Sequence, residues 1–171
     1  MASPGARSPI RSRRLSLLPG VHVTAGAGGG RRDGLAVFRT DVAVRWSDMD
    51  VYGHVNNARV VTLLEEARTK LLFGEAAGRA ATAFSRGVVV VELTVRYHQP
   101  LVYSVTPVSV QLWVSELRAA SFTLDYIVAG SDGEAVSART HLAAYDIAAH
   151  RPRRLTPAER EFLARFGKDP G

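Results

Sequence analysis

Phe38, Thr40, Val42, Val44 and Trp46 alternate with Arg39, Asp41 and Arg45. That period of two predicts a strand with one buried face. At about Asn57 the period changes. Val60, Val61, Leu64, Ala67, Leu71 and Leu72 recur at helical spacing, which predicts a helix from about Asn57 to Phe73. At 1.5 Å per residue it would be roughly 25 Å long, enough to line a small sheet from end to end. After a polar, alanine-rich connection the period of two returns four times, over Val88 to Tyr97, Thr106 to Ser115, Ser121 to Val128 and Ala135 to Tyr145. In the first of these Glu92, Thr94, Arg96 and His98 point away from the buried face. Ser131-Asp132-Gly133 is a hairpin turn signal between the last two. The short connections predict antiparallel neighbours. Near the end, Thr156-Pro157-Ala158-Glu159 reads as a helix start with Thr as N-cap, Pro at N1 and Glu closing a capping box. Leu155, Phe162, Leu163 and Phe166 give that helix a small apolar face. Strand, long helix and four antiparallel strands predict an α+β layer, a sheet wrapped around one central helix.

Composition changes this picture at the N-terminus. The chain has 171 residues and a formal charge of +6, but residues 1–34 hold six arginines and one acid, Asp33, and so carry most of that excess. The pI of 10.3 therefore describes the leader more than the body, and a nucleic-acid partner is not expected. Residues 1–34 mix Ser, Pro, Gly and Arg without periodicity and read as a disordered basic leader. A transit peptide and an over-extended start are both compatible with that composition. The Gly26-Ala27-Gly28-Gly29-Gly30 run is followed by Arg31 and preceded by no strand, so it reads as a linker and not as a dinucleotide fingerprint. The expected domains are the leader at 1–34, a folded domain at 35–148 and a C-terminal extension with a short helix at 149–171. Cysteine is absent, which excludes disulfides, thiolate zinc sites and a thiol nucleophile. No apolar run has membrane-spanning length, so no membrane span is expected.

The chemistry concentrates in Asp48-Met49-Asp50-Val51-Tyr52-Gly53-His54-Val55-Asn56-Asn57-Ala58-Arg59, directly before the long helix. Carboxylates, a glycine turn, an imidazole and two amides beside a helix N-terminus suit reactions at a carbonyl. A carboxylate delivers or activates a nucleophile, and backbone N–H groups hold the developing oxyanion. Gly53 allows a positive φ or a close approach of an acyl group. The amides from Val55 to Ala58 fall at the helix start, where N–H groups are unpaired and the dipole is positive. Asn56 or Asn57 can also serve as N-cap, using different N–H groups. There is no Gly-x-Ser-x-Gly, P-loop or zinc pattern. The five histidines, His22, His54, His98, His141 and His150, show no ligand spacing. No cofactor and no metal are called for.

These residues resemble the hotdog-fold acyl-CoA thioesterases related to 4-hydroxybenzoyl-CoA thioesterase, and within them the long-chain acyl-CoA thioesterase III type. The resemblance rests on Arg45, Asp50-Val51-Tyr52, His54-Val55-Asn56-Asn57-Ala58-Arg59 and Leu64-Glu65-Glu66-Ala67-Arg68, and covers about residues 36–147. The His54-to-Asn57 stretch is also similar to plant acyl-carrier-protein thioesterases. One departure is Pro100-Leu101-Val102-Tyr103 leading into Ser104-Val105, where relatives often carry Gly-Asp. The resemblance implies a hotdog fold, a homodimer or homotetramer with active sites between subunits, and an acyl-CoA substrate.

Read without the resemblance, Asp50 is first an Asx-turn residue shaping the loop. With it, Asp50 becomes the expected catalytic carboxylate, the second Asp of an Asp-x-Asp pair. His54 is expected to bond Asp50, position water or protonate the leaving thiolate, or else to be a half-buried loop histidine at a subunit seam. Asn57 completes the catalytic set, and Tyr52, Gly53, Val55, Asn56 and Ala58 are the expected substrate-binding residues around it. Arg118 and Ser121 resemble a stretch that meets CoA phosphates, a task suited to the guanidinium fork. Arg96, His98 and Arg139 are weaker candidates for it. Glu65 and Glu66 are alternative carboxylates, set against simple pairing with Arg68 or Lys70. Val60, Val61 and Leu64 border an acyl channel or are plain core.

The expected function is hydrolysis of acyl-CoA to a free acid and CoA by a cytoplasmic enzyme of fatty acid metabolism. The alternatives are a hotdog dehydratase or hydratase, and a non-enzymatic acyl-CoA sensor using its basic leader as a contact. Thiol release against enoyl-CoA hydration separates the first alternative. A leader deletion that spares hydrolysis but abolishes a binding function would mark the second.

Overall fold

A computed structural model describes residues 29–32, 35–74 and 78–167. Most of the segment expected as leader lies outside them, as does the end of the chain from residue 168. The elements in order are β1 (Gly29–Arg32), β2 (Leu35–Val42), a 3-10 turn (Trp46–Asp48), α1 (Asn57–Phe73), α2 (Arg79–Phe84), β3 (Val88–Tyr97), β4 (Val108–Leu117), β5 (Ser121–Gly130), β6 (Gly133–Asp146), β7 (Arg151–Pro152) and α3 (Pro157–Ala164). The strands form one antiparallel sheet in the order β1-β2-β4-β5-β6-β3, with β7 pairing the end of β6. This is the expected α+β hotdog arrangement.

Helix α1 has the predicted bounds because its start and stop are both written locally. Asn56 caps it, its Oδ1 accepting from the Ala58 N–H at 2.9 Å. It buries Val60, Leu63, Leu64, Ala67, Leu71 and Leu72 against the sheet, each large side chain worth roughly 1.5–3 kcal/mol. Leu63 takes an inner place that the periodicity gave to Val61, which is half-buried. The far end of the helix meets an aromatic chain. Phe38, Phe166, Phe162, Phe84 and Phe122 stack in sequence, with Phe73 beside Phe84. All six phenylalanines of the protein therefore fill the end opposite the helix N-terminus.

Four expectations change. Gly29–Arg32, inside the expected leader and linker, form β1 against β2, an association made by backbone groups that needs no side-chain pattern. The first strand ends at Val42 and not at Trp46. Val44 still points inward, but Trp46 enters the 3-10 turn and is 76 % exposed. The alanine-rich connection contains α2, too short at six residues to show a period. Finally, β3 stands at one edge of the sheet, and the face expected to be buried leaves Val89, Val91 and Tyr97 exposed, as is Val90. The Ser131-Asp132-Gly133 turn and the Thr156/Glu159 capping box stand where the sequence puts them.

Candidate active site

The loop from Asp48 to Asn56 folds on its own polar side chains. The Gly53 N–H donates to the Asp50 carbonyl at 3.1 Å, closing a four-residue turn with Asp first and Gly last. Gly53 holds φ +79°, a region that penalises any side chain. The Asp50 N–H returns to the His54 carbonyl at 2.7 Å. The loop is then tied outward. Val55 N–H donates to the Leu101 carbonyl at 2.7 Å, and Asn56 N–H to the Asp48 carbonyl at 2.9 Å.

The two aspartates divide their work. Asp48 is buried; its Oδ2 accepts from the Arg45 N–H at 2.8 Å and its Oδ1 lies 3.9 Å from Arg59. Asp50 is half-buried and uses one oxygen only. Its Oδ1 accepts from the N–H groups of Tyr52 at 2.8 Å and His54 at 3.3 Å. Its Oδ2 has no hydrogen bond among the described residues. The Asx-turn role is therefore present, and it leaves half of the carboxylate unused.

The first turn of α1 shows the same economy. Ala58 N–H goes to Asn56 Oδ1, and the N–H groups of Arg59 and Val60 go to the Asn56 carbonyl. The Asn57 N–H has no acceptor among the described residues. It sits at the positive end of a 17-residue helix.

Asp50, His54, Val55, Asn57 and Val60 form one wall of a cleft of about 360 Å³. The other wall is Tyr97, His98, Gln99, Pro100 and Leu101 at the end of β3, with Val136 of β6. Of the expected residues, Asp50, His54, Val55 and Asn57 thus come together. Tyr52, Gly53, Asn56 and Ala58 shape the cleft from behind through turn and cap bonds. The His54 ring is exposed and makes no hydrogen bond among the described residues; only its backbone N–H reaches Asp50.

Arg118 and Ser121 lie elsewhere. They close the β4–β5 hairpin, Arg118 N–H donating to the Ser121 carbonyl at 2.8 Å, and Arg118 pairs with Glu116 at 3.3 Å. Ser121 sits opposite Ala143 on β6, whereas the cleft is beside Val136. At ~3.3 Å per residue those positions are roughly 23 Å apart. Arg139 is held by Asp125 through bonds of 2.7 and 3.0 Å on the outer face of the sheet. Glu65 pairs with Arg68 at 3.6 Å, and Lys70 donates to the Asp41 carbonyl instead of to Glu66.

On the far wall the sequence names His98, as a weaker phosphate candidate, and leaves Tyr97 and Gln99 without a role. Burial raises the Tyr97 phenol above its ordinary value, and its hydroxyl donates to the Asn57 carbonyl at 3.2 Å. His98 Nε2 meets Ser137 Oγ at 2.7 Å and Glu134 at 3.2 Å. Three hydrogen-bonding side chains in a row, Tyr97-His98-Gln99, where a strand ends at Pro100, were the available signal. Among the described residues no cluster of three or more His, Asp or Glu could hold a metal ion, and no helix is long and apolar enough to cross a membrane.

Comparisons with known proteins bear on the fold and the family. The thioesterase-like superfamily matches residues 44–166. The long-chain acyl-CoA thioesterase FadM of Escherichia coli (strain K12) is 41 % identical over 67 residues, 39 % of this chain and 51 % of that protein. The chain thus spans about half the length of the curated relative it matches. Among solved structures, a Thermus thermophilus thioesterase complexed with coenzyme A and Zn superposes with a TM-score of 0.64 at 27 % identity, over 78 % of this chain and 95 % of that one. A predicted thioesterase from Bacillus stearothermophilus shares the fold, with a TM-score of 0.69 at 22 % identity over 80 % of this chain and all of that one. The matched segment starts just before the Asp50 loop and runs past α3, and on that extent the chain belongs to the thioesterase-like superfamily.

Proposed function

We propose that the protein hydrolyses acyl-CoA thioesters to a free carboxylic acid and CoA. The observation that carries this reading is that two residues lining one cleft, Asp50 and Asn57, each keep a group with no hydrogen bond among the described residues, the Asp50 Oδ2 and the Asn57 N–H. The family and the curated relative's stated substrate support the same class.

Two routes use these groups. In one, Asp50 Oδ2 attacks the thioester carbonyl carbon, the oxyanion forms against the Asn57 N–H, the C–S bond breaks and CoA leaves as thiolate. Water then opens the acyl-aspartyl anhydride and releases the acid. In the other, Asp50 takes a proton from a water that attacks the same carbon, and the departing thiolate recovers that proton. The helix N-terminus stabilises the tetrahedral intermediate in both. His54 is assigned to the water or to the leaving thiolate, since its ring is not engaged by Asp50.

A homodimer or homotetramer goes with this reading. An exposed edge carrying Val89, Val90 and Val91 is a template for strand pairing, and we assign it to a second β3 running antiparallel. That pairing sets the Val88 end of one β3 beside the Tyr97 end of the other, and so brings a partner's β4–β5 hairpin toward the cleft. Arg118 is then assigned to the CoA phosphates of the neighbouring site.

The test is thiol release across acyl-CoA chain lengths, native against Asp50→Asn, with enoyl-CoA hydration measured in parallel. The amide keeps the shape and removes the charge. Turnover should fall at least ~10²-fold, the lower end for loss of a positioned base. An unchanged rate removes Asp50 from the mechanism, and hydration without thiol release replaces the hydrolase by a lyase.

A further inference from the structure

We infer that Tyr97 is a positioning residue for the oxyanion site, the hydroxyl that fixes the distance between the two walls of the cleft. The inference rests on the thioesterase reading above. Its basis is how β3 is held. Within one subunit β3 is an edge strand, with a strand partner on one side only, β6. At its cleft end three consecutive side chains reach in different directions. His98 goes back to Ser137 and Glu134 of β6. Gln99 Nε2 reaches the Asp132 carbonyl of the β5–β6 turn at 3.5 Å. Tyr97 alone of the three crosses the cleft, to the carbonyl of Asn57 at 3.2 Å.

Asn57 is the first residue of α1 and lines the cleft, and its N–H has no acceptor among the described residues. A bond to its carbonyl restrains the turn that aims that N–H. The effect is indirect, because the phenol acts on helix geometry and leaves the carboxylate alone. A phenol is protonated, and therefore a donor, throughout the neutral range. His98 and Gln99 keep their own anchors, so removing the hydroxyl leaves the wall in place but loosens its grip on the helix.

The experiment is Tyr97→Phe, read in two ways. Amide hydrogen exchange of the first turn of α1 should quicken by roughly twofold to tenfold, the value of one neutral hydrogen bond. In thiol release from an acyl-CoA, kcat should fall by a similar factor while KM holds, since the lost bond is not to CoA. The melting temperature should stay within a few degrees of native, which separates positioning from folding. Native exchange with native kcat overturns the inference. A raised KM at unchanged kcat also overturns it, making Tyr97 a substrate contact. Asp50→Asn run beside it keeps the two readings apart. If that variant retains full turnover the thioesterase reading fails, and the exchange measurement still decides the Tyr97 bond.

Discussion

Glu159→Gln should be among the most damaging single substitutions in this protein, although it lies far from the cleft. Glu159 is fully buried and Arg153 nearly so, and the two meet through bonds of 2.6 and 2.8 Å. The other guanidinium bonds run to the carbonyls of Ala83, Gly87, Tyr145 and Arg154. One arginine therefore pins α3, the end of β6 and the α2–β3 junction together. Glu159 also accepts from the Thr156 N–H at 2.6 Å. An amide at this position turns an N–H₂ toward the guanidinium and leaves a buried cation without its counter-charge. Breaking one side of a buried pair costs about 3–5 kcal/mol, against a typical total of roughly 5–15 kcal/mol. For a chain of this size that is a fall in Tm of roughly 6–20 °C, readable by circular dichroism. The pH dependence has a definite sign. Burial pushes the Glu159 carboxyl up, but the Arg153 and Thr156 hydrogen bonds outweigh it and the net value is lowered. A lowered folded pKa contributes stability above the unfolded value of about 4.3 and loses it as pH falls through the folded one. Native Tm should therefore drop with acid below roughly pH 4.3, and Glu159→Gln should lack that share of the slope. The double variant Arg153→Met, Glu159→Leu should not recover the loss, because it strands the carbonyls that the guanidinium serves and the Thr156 N–H. A single variant costing under ~1 kcal/mol, the range of exposed pairs, would refute the burial argument.

Gly53→Ala meets no atom within 4 Å, so its cost is the positive φ alone. At ~1–2 kcal/mol, Tm should fall by roughly 2–8 °C, and turnover should fall with it if the loop relaxes away from the positive φ; native Tm with native turnover would free Gly53 of its turn role. Val91→Lys places a charge on the exposed β3 edge and should shift sedimentation toward the 18.5 kDa single chain with loss of activity; an unchanged assembly moves the interface elsewhere. Mixing Asp50→Asn with Arg118→Ala subunits should restore about a quarter of native sites if Arg118 serves the neighbouring cleft of a symmetric dimer, and activity no higher than the parents' mean would return Arg118 to its own subunit or to solvent.

What was legible in the sequence is what is written locally. Asn56 and Thr156 cap helices through atoms two or three residues away, so the starts of α1 and α3 follow from spacing alone. The β5–β6 hairpin follows from Ser131-Asp132-Gly133, with Gly133 at φ +122°. The Asp50 wall was legible for the same reason, since turn, cap and carboxylate share one short run. The Tyr97 wall was not, because its partner Asn57 lies 40 residues earlier and nothing in either segment's pattern names the other. Strand β1 and helix α2 escaped for different reasons. Backbone pairing leaves no side-chain period in Gly29–Arg32, and six residues are too few to show one in α2. Trp46 continues the alternation of β2 on paper, yet the Asp48 carboxylate captures the Arg45 N–H and turns the chain out of the sheet.

That capture also explains which carboxylate can do chemistry. Asp48, Asp50, Glu65 and Glu66 all stand near α1, and composition alone cannot rank them. Asp48 is buried and does not line the cleft, with Oδ2 held by the Arg45 N–H and Oδ1 3.9 Å from Arg59. Glu65 is matched to Arg68 one turn along the helix, and neither it nor Glu66 lines the cleft. Asp50 alone among these four lines the cleft, with one oxygen fixed and the other making no hydrogen bond among the described residues. The Asx turn is thus no rival to a catalytic role. By tying Oδ1 to two backbone donors it removes the rotational freedom of the carboxylate before substrate arrives, and a base held in place has that much less entropy to lose at the transition state.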